Sequence, residues 1–100
     1  MELVFAAEGF SAMGSESRLL VLQTLVKAGP KGLAVGEIQK RTNIPASTLA
    51  HHLKFLNAAD LVVQEKQGRT IFSRANFQHL ESLADFILNE CCRDEEASND

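Results

Sequence analysis

Two adjacent cysteines near the end of the chain are the residues best suited to chemistry. Cys91 and Cys92 are the only cysteines among the 100 residues, and an acidic run follows them. Their soft thiolates could chelate a thiophilic ion. Adjacent helical residues point about 100° apart, so both sulfurs reach one ion most easily where the helix ends or frays. The alternatives are redox chemistry, although a disulfide between neighbours is strained, and packing of Cys91 as a small apolar side chain.

Few other residues of this segment could complete a metal or catalytic site. It offers one histidine, His79, and the carboxylates of Glu81, Asp85 and Glu90. No second histidine follows, so a histidine-rich zinc site is disfavoured, and the acids are expected to form a solvated face. The chain also has no Cys-x-x-Cys motif and no evident Ser-His-Asp or Cys-His constellation. We therefore predict that the protein is not an enzyme.

The charges of the chain are distributed unevenly. The formal net charge is −3, yet residues 37–79 hold six bases against three acids, and residues 80–100 hold one base against seven acids. The basic middle predicts an anionic partner in spite of the net charge. No apolar run approaches the roughly 18 residues that span a bilayer, and the N-terminal segment lacks the basic region of a secretory signal. We expect a cytoplasmic protein with no membrane partner.

Apolar spacing and capping residues predict the elements that position these groups. A period of three to four residues predicts helices, and Gln67-Gly68 predicts a two-residue turn between two strands. The predicted ranges are Leu3–Met13, a helix capped by Ser15 that ends at Ala28-Gly29-Pro30, Ala34–Thr42, Ala46–Ala58, the strands Leu61–Lys66 and Arg69–Ala75, and a helix capped by Asn76 that runs to about Glu90. We predict a mainly α domain over residues 1–92, in the order α-α-α-α-β-β-α, and an acidic, disordered tail over residues 93–100.

The third and fourth helices have the spacing of a helix-turn-helix unit. Asn43 can adopt the left-handed turn conformation, and Pro45 pre-sets the start of the fourth helix. That helix buries a stripe centred on Leu49, so its opposite, polar face is free to enter a DNA groove. The DNA-facing candidates of this unit are Arg41, Ser47, Thr48, His51 and Lys54.

The hairpin that follows carries polar and cationic residues at its tip. Lys66, Arg69 and Thr70 flank the flexible glycine of the turn, as a wing requires in order to approach a sugar-phosphate backbone. Such cations contribute phosphate affinity that weakens with salt, and they carry little sequence information. Because the hairpin comes directly after the helix-turn-helix unit, we predict a winged helix.

A family resemblance is carried by the stretch GLAVGEIQKRTNIPASTLAHHLKFLNAADLVVQEKQGRTIFSR, together with GSESRLLVLQTL and the flanking helices. Over about residues 5–92 the chain resembles the ArsR/SmtB family of winged-helix repressors, most specifically in STLAHHLKFL and QGR. The resemblance implies a homodimer through the first and last helices, with Ser47, Thr48 and His51 facing double-stranded operator DNA and no cofactor required for binding. His52 stands where the family commonly has histidine. It lies nearer the buried stripe, so we expect it to make a structural hydrogen bond.

The family releases DNA when it binds metals, metalloids or reactive sulfur species, and this chain departs from one of its inducer sites. Ala34-Val35-Gly36 stands where arsenic-type members carry Cys-Val-Cys, so that site is absent. Some members bind arsenite through cysteines near the end of the last helix, which makes trivalent arsenic at Cys91 and Cys92 the preferred inducer. Arsenite favours three sulfurs, so a solvent molecule, a small thiol, a partner cysteine or an organic substituent would complete its coordination.

Two alternatives stand beside an arsenic-responsive repressor. The first is a repressor that responds to redox or reactive-sulfur chemistry at the same two thiols. The second is a winged helix that binds a protein partner through its acidic surface and never binds DNA. Salt-dependent binding to duplex DNA would separate the second alternative from the other two, because phosphate contacts make affinity fall with salt.

Overall fold

The helices and strands of the chain follow the local signals in its sequence. A computed structural model describes residues 1–98. The elements are α1 (Leu3–Met13), α2 (Glu16–Ala28), β1 (Leu33–Ala34), α3 (Val35–Thr42), α4 (Ala46–Ala58), β2 (Val62–Gln67), β3 (Thr70–Ala75), α5 (Phe77–Leu88) and α6 (Arg93–Ser98). The predicted winged helix-turn-helix class is confirmed, with β2 and β3 as the wing. Within the described part of the chain, no helix is both long and apolar enough to cross a membrane.

Two polar side chains begin helices where the sequence predicted. The Ser15 hydroxyl accepts a hydrogen bond from the Arg18 backbone N–H at 3.1 Å at the start of α2. The Asn76 side-chain oxygen accepts one from the His79 N–H at 3.3 Å at the start of α5. Each cap satisfies a backbone donor that the helix itself leaves without a partner, so these two helix starts are determined locally.

The sheet has a strand that the predicted element order lacked. β1 pairs antiparallel with β3, Leu33 opposite Ser73 and Ala34 opposite Phe72, which gives the order β1-β3-β2. Two residues are too few for an alternating pattern to be visible in the sequence. The strand forms because β3 offers a free edge to the residues just before α3, and it ties the helix-turn-helix unit to the wing.

The hairpin turn lies one residue later than predicted. Gln67 pairs with Thr70, so Gly68 and Arg69 form the two-residue turn. Gly68 has a φ of 65° at the first central position, where a type II′ turn requires glycine. Arg69 therefore sits at the very tip of the wing, where it is exposed.

The core surrounds α2, which packs against α1, α3, α4 and β3. The buried apolar side chains are Ala6, Ala12, Val21, Leu22, Leu25, Ile38, Leu49, Leu53, Leu56, Leu61, Val62, Ala75 and Leu83. The apolar spacing of α2 predicts one buried stripe, made of Leu19, Leu22, Leu25 and Val26. This prediction is partly wrong, because Leu19 and Val26 are exposed and Val21 is buried. Neighbours on several sides of α2 set its buried arc, and periodicity alone does not reveal their directions.

The C-terminal segment differs from the prediction in two ways. Helix α5 ends at Leu88 instead of about Glu90, and the segment predicted to be disordered forms α6 from Arg93 to Ser98. Asp94 and Glu95 lie in the first turn of α6, where the positive end of the helix dipole favours acidic side chains. Residues 99–100 of the predicted tail lie outside the described residues.

Candidate nucleic-acid interface

The turn between α3 and α4 sets the geometry of the helix-turn-helix unit. Asn43 is left-handed, with φ 60° and ψ 25°, as predicted. Its N–H donates to the Gln39 carbonyl at 2.7 Å and closes α3. The Thr42 hydroxyl accepts from the Ile44 N–H at 3.3 Å, and Pro45 precedes α4 with φ −59°. These local hydrogen bonds and backbone angles therefore set the direction of α4 relative to α3.

Helix α4 has one buried face and one exposed face, as its sequence predicted. Its buried residues are Leu49, Leu53 and Leu56. The predicted DNA-facing residues of this helix, Ser47, Thr48, His51 and Lys54, are all exposed. Short polar side chains lie at its N-terminal end and a cation lies further along, an arrangement that suits base edges and phosphates.

An aromatic side chain that the sequence analysis missed lies beside this face. Phe55 is 46% exposed and contacts the His51 ring edge-on, with the ring centroids 5.0 Å apart and the planes at 80°. The Arg18 guanidinium carbon lies 5.2 Å from the Phe55 ring centroid. The spacing of His51 and Phe55, one helical turn apart, could have indicated their contact. Nothing in the sequence pattern indicates Arg18, which comes from α2.

His52 does not make the structural hydrogen bond that was predicted for it. Its Nδ1 atom is buried and has no hydrogen-bond partner among the described residues. Burial lowers the pKa of His52 below its ordinary value, and the nearby charges of Arg18 and His51 lower this pKa further. These effects favour the neutral form of the imidazole, which lies partly inside the domain, next to the exposed face of α4.

The wing presents its predicted residues to solvent. Lys66, Arg69 and Thr70 are exposed around the hairpin tip. Further from the tip, Arg74 of β3 pairs with Glu65 of β2 at 3.1 Å. Lys66 and Arg69 have no ion-pair partner within residues 1–98, so their charges are available to a partner molecule.

Arg41 differs from the other predicted cations. It is exposed on α3, but its Nε donates to the Glu37 carboxylate at 3.1 Å, one turn earlier on the same helix. Exposed pairs of this kind contribute little energy, so the pair can open toward a phosphate. Lys54 makes no ion pair within the described part of the chain, and it is the stronger candidate of the two.

The two cysteines lie in the turn between α5 and α6. Their Sγ atoms are 3.2 Å apart, and both side chains are exposed. Cys92 has a left-handed φ of 62°, and the Cys91 N–H donates to the Leu88 carbonyl at 2.9 Å. Because α5 ends at Leu88, Cys91 lies beyond this helix and does not continue its apolar stripe. The described residues contain no group of three or more histidine, cysteine, aspartate or glutamate side chains that could hold a metal ion.

A known family matches the middle of this architecture. Its model, described as a helix-turn-helix domain, matches residues 13–65, from the end of α1 into β2. The chain belongs to this helix-turn-helix family. The matched residues include all of α3 and α4. The exposed face of α4 therefore lies in the part of the chain that the family model covers.

Similar proteins extend the assignment to the wing and the terminal helices. An ArsR-like transcriptional regulator from Rhodococcus sp. RHA1 has a TM-score of 0.78 and 26% identity, covering 95% of this chain and 86% of that one. The uncharacterized HTH-type transcriptional regulator YceK of Bacillus subtilis is 39% identical over 64 residues, which are 64% of this chain and 63% of YceK. The nodulation protein NolR of Rhizobium meliloti is 39% identical over 67 residues, 66% of this chain and 52% of NolR. This helix-turn-helix protein thus has an ArsR-type winged-helix fold, and it matches less than two thirds of the length of YceK and NolR.

Proposed function

We propose that the protein is a homodimeric transcriptional repressor that binds duplex operator DNA and is released by a thiophilic inducer. The DNA-binding part of this proposal rests on one observation. The polar face of α4 is exposed, and an exposed basic hairpin follows it. Ser47 and Thr48 lie at the N-terminal end of α4, the end at which a recognition helix approaches base edges. Lys66 and Arg69 on the wing then suit the flanking phosphate backbone.

The dimer is supported by apolar side chains that have no cover in the single chain. On α1 and just before it, the exposed apolar residues are Met1, Leu3, Val4 and Phe5, and on α5 they are Ile87 and Leu88. Large exposed apolar side chains grouped on each of two helices are typical of an interaction site. The two helices already contact each other within the chain through Gly9 and Leu83, so a partner that covered both would form one continuous interface.

Trivalent arsenic bound by Cys91 and Cys92 is our preferred inducer. The two Sγ atoms are 3.2 Å apart without any rearrangement, and both are open to solvent. Trivalent arsenic is pyramidal and holds its sulfur ligands near a right angle, so it fits two sulfurs in contact. Structural zinc instead takes four protein ligands and sets its sulfurs about 3.8 Å apart, and the described residues supply no further ligand group here.

Binding at this turn could reach the DNA-reading helices through α5. The cysteines lie in the turn that follows α5, and the Cys91 N–H donates to the carbonyl of Leu88, the last residue of that helix. A pyramidal ion held by both sulfurs would fix the turn and alter the end of the proposed dimer helix. The spacing of the two α4 helices in the dimer would change with it, and two half-sites on a duplex tolerate little change in spacing.

Oxidation of the same thiols is the second candidate mechanism. The contact between the two Sγ atoms also suits the loss of two electrons and two protons to an oxidant such as a polysulfide, with formation of a disulfide. A disulfide between neighbouring residues is strained, so it would be readily reduced. The two mechanisms differ in whether a reductant reverses the response.

The test uses the reduced protein and a duplex that the wild type selects from a randomised pool. DNA binding is followed by fluorescence anisotropy while arsenite, methylated arsenite, zinc or polysulfide is added. We expect either arsenical to release the DNA, and we expect Cys91→Ser, Cys92→Ser and the double variant to bind DNA normally but to resist release. If the double variant releases DNA at the wild-type arsenite concentration, the inducer site is wrong. If the wild type selects no duplex at any salt concentration, the DNA-binding function is wrong.

A further inference from the structure

Phe55 is an aromatic side chain whose position the hydrophobic core does not explain. It lies on α4 outside the buried leucine stripe and is 46% exposed. Nearly half of this large side chain is therefore open to solvent, next to the predicted DNA-facing residues. Its closest ring partner is His51, one turn earlier on the same face, at 5.0 Å between centroids. The edge-on geometry, with planes at 80°, is the favourable one for two aromatic rings.

The other contact of Phe55 comes from a side chain that is itself anchored. The Arg18 guanidinium carbon lies 5.2 Å from the Phe55 centroid, within the range of a cation–π interaction. Arg18 Nε donates to the Ala12 carbonyl, and Nη2 lies 3.5 Å from the Ser11 carbonyl. Those carbonyls belong to the last turn of α1, where helix oxygens lack partners within the helix. Arg18 therefore connects the end of α1 to a ring on α4.

We propose that Arg18 and Phe55 are positioning residues that hold the His51 ring in the orientation in which it contacts a base edge. This inference rests on the proposed DNA-binding function. An exposed histidine on a helix can rotate about both side-chain torsions, and freezing it on binding costs affinity. A ring packed against Phe55, which Arg18 holds in turn, has already lost that freedom. In this proposal His51 contacts a base edge. Arg18 and Phe55 therefore affect the discrimination between DNA sequences more than the affinity for DNA in general.

The contact between Arg18 and Phe55 also links the proposed dimer interface to the proposed DNA-binding face of α4. Helix α1 is part of the proposed dimer interface, and Arg18 binds its C-terminal carbonyls while touching the ring next to His51. A shift of α1 relative to α4 would change the position of the guanidinium over Phe55 and release the restraint on His51. The contact between His51 and a base edge would then weaken before the phosphate contacts of the wing were lost.

The first experiment measures discrimination in a double-mutant cycle. The Kd is measured for the duplex selected by the wild type and for duplexes with single base-pair substitutions. We expect Phe55→Leu to lower the discrimination ratio at one base-pair position about threefold to tenfold, and to have no further effect in a His51→Ala background. Phe55→Tyr keeps the aromatic face and should keep the wild-type ratio. An equal loss on every duplex, or the same loss with and without His51, would overturn the proposal.

The second experiment needs no DNA and therefore separates this inference from the proposed function. The ring protons of His51 are followed by NMR in the wild type and in Arg18→Lys, which keeps the charge but lacks the planar fork. The Phe55 ring current should shift the His51 resonances in the wild type, and we expect this shift to decrease by about half in Arg18→Lys, with thermal melting as a check of folding. Unchanged His51 resonances would refute the role of Arg18, even if the wild type binds its duplex as proposed. If the wild type selects no duplex, the same resonances still decide whether Arg18 holds the ring pair.

Discussion

Gly9 of α1 lies directly against Leu83 of α5, so that a β-carbon at Gly9 would be 2.9 Å from Leu83 Cδ1. Both residues are buried, and Leu83 is the one fully buried side chain of α5. The close approach of the two helices therefore depends on the absence of a side chain at Gly9. It also determines how α1 and α5 present their exposed apolar residues.

We predict that Gly9→Val destabilises the protein by about 1–3 kcal/mol, because the added methyl groups overpack the contact with Leu83. The matched control is Gly36→Ala on α3, where a β-carbon would meet nothing within 4 Å. That change should stabilise the protein by about 0.5–1 kcal/mol through helix propensity alone. Urea unfolding at one fixed protein concentration measures both. If Gly9→Val left the free energy of unfolding unchanged, the close packing of α1 against Leu83 would be contradicted.

Asn43 provides a second stability test, at the turn that aims α4. Its φ of 60° is a conformation that glycine adopts freely and a β-branched residue resists. We expect Asn43→Gly to be nearly neutral and Asn43→Val to cost about 1–2 kcal/mol in the free energy of unfolding. DNA affinity should fall with Asn43→Val as well, because the turn sets the direction of α4. Equal stabilities of the two variants would argue against a left-handed residue at this position.

The wing cations should control the salt dependence of DNA binding. Lys66→Ala and Arg69→Ala should each weaken binding about equally for all duplexes and should each reduce the slope of log Kd against log salt by about 1. Lys27→Ala makes the same change in net charge in the last turn of α2, outside the helix-turn-helix unit and the wing. It should leave the slope unchanged. A wing that does not touch phosphate would give all three variants the wild-type slope.

Charge on the exposed apolar residues of α5 should dissociate the proposed dimer. Leu88 is 66% exposed and Ile87 is 63% exposed, and a glutamate at either position would place a charge in the interface. We expect Ile87→Glu and Leu88→Glu to sediment as monomers at concentrations at which the wild type is a dimer. Ile71→Glu changes an isoleucine of similar exposure, 52%, on the wing, and should stay dimeric. A monomeric wild type, or dimeric α5 variants, would contradict the interface.

His52 predicts a pH dependence of stability. Its pKa in the folded protein lies below its ordinary value of 6.5, chiefly because of burial. As the pH falls through about 6.5, the unfolded chain takes up a proton at this imidazole before the folded chain does, so the free energy of unfolding decreases. Above that pH the stability associated with the neutral ring is fully present. We expect His52→Gln to flatten the decrease in stability between pH 7.5 and 5.5, measured by urea unfolding, relative to the wild type. Parallel pH profiles for the two proteins would be the contrary result.

The part of the fold that could be predicted was the part decided within a few residues. Asn43 was expected in the left-handed region and adopts a φ of 60°. Ser15 and Asn76 cap the helices that they were expected to cap. In each case the competing conformations differ by local sterics or by one backbone hydrogen bond, and the sequence nearby contains everything that decides between them.

The exposed face of α4 was predictable for the same reason. Three leucines at helical spacing identify the buried side, so the polar residues opposite had to face outward. The tip of the wing was predicted to within one residue, because the turn depends on Gly68 alone. The contact between Arg18 and Phe55 was not visible in the sequence, since the two residues lie far apart in the chain and neither has a motif around it.

The sequence by itself determined which segments form helices α1 to α5, where the turn of the helix-turn-helix unit lies, and which side of α4 is polar. Tertiary structure decided which side of α2 is buried, that Leu33 and Ala34 join the sheet, and that the two cysteines follow the end of α5 with their sulfurs in contact. The physical reason is the distance along the chain over which each effect acts. Propensity, capping and amphipathic period act between neighbours in the chain, whereas burial, strand pairing and contacts between helices depend on elements that meet only when the whole domain has formed.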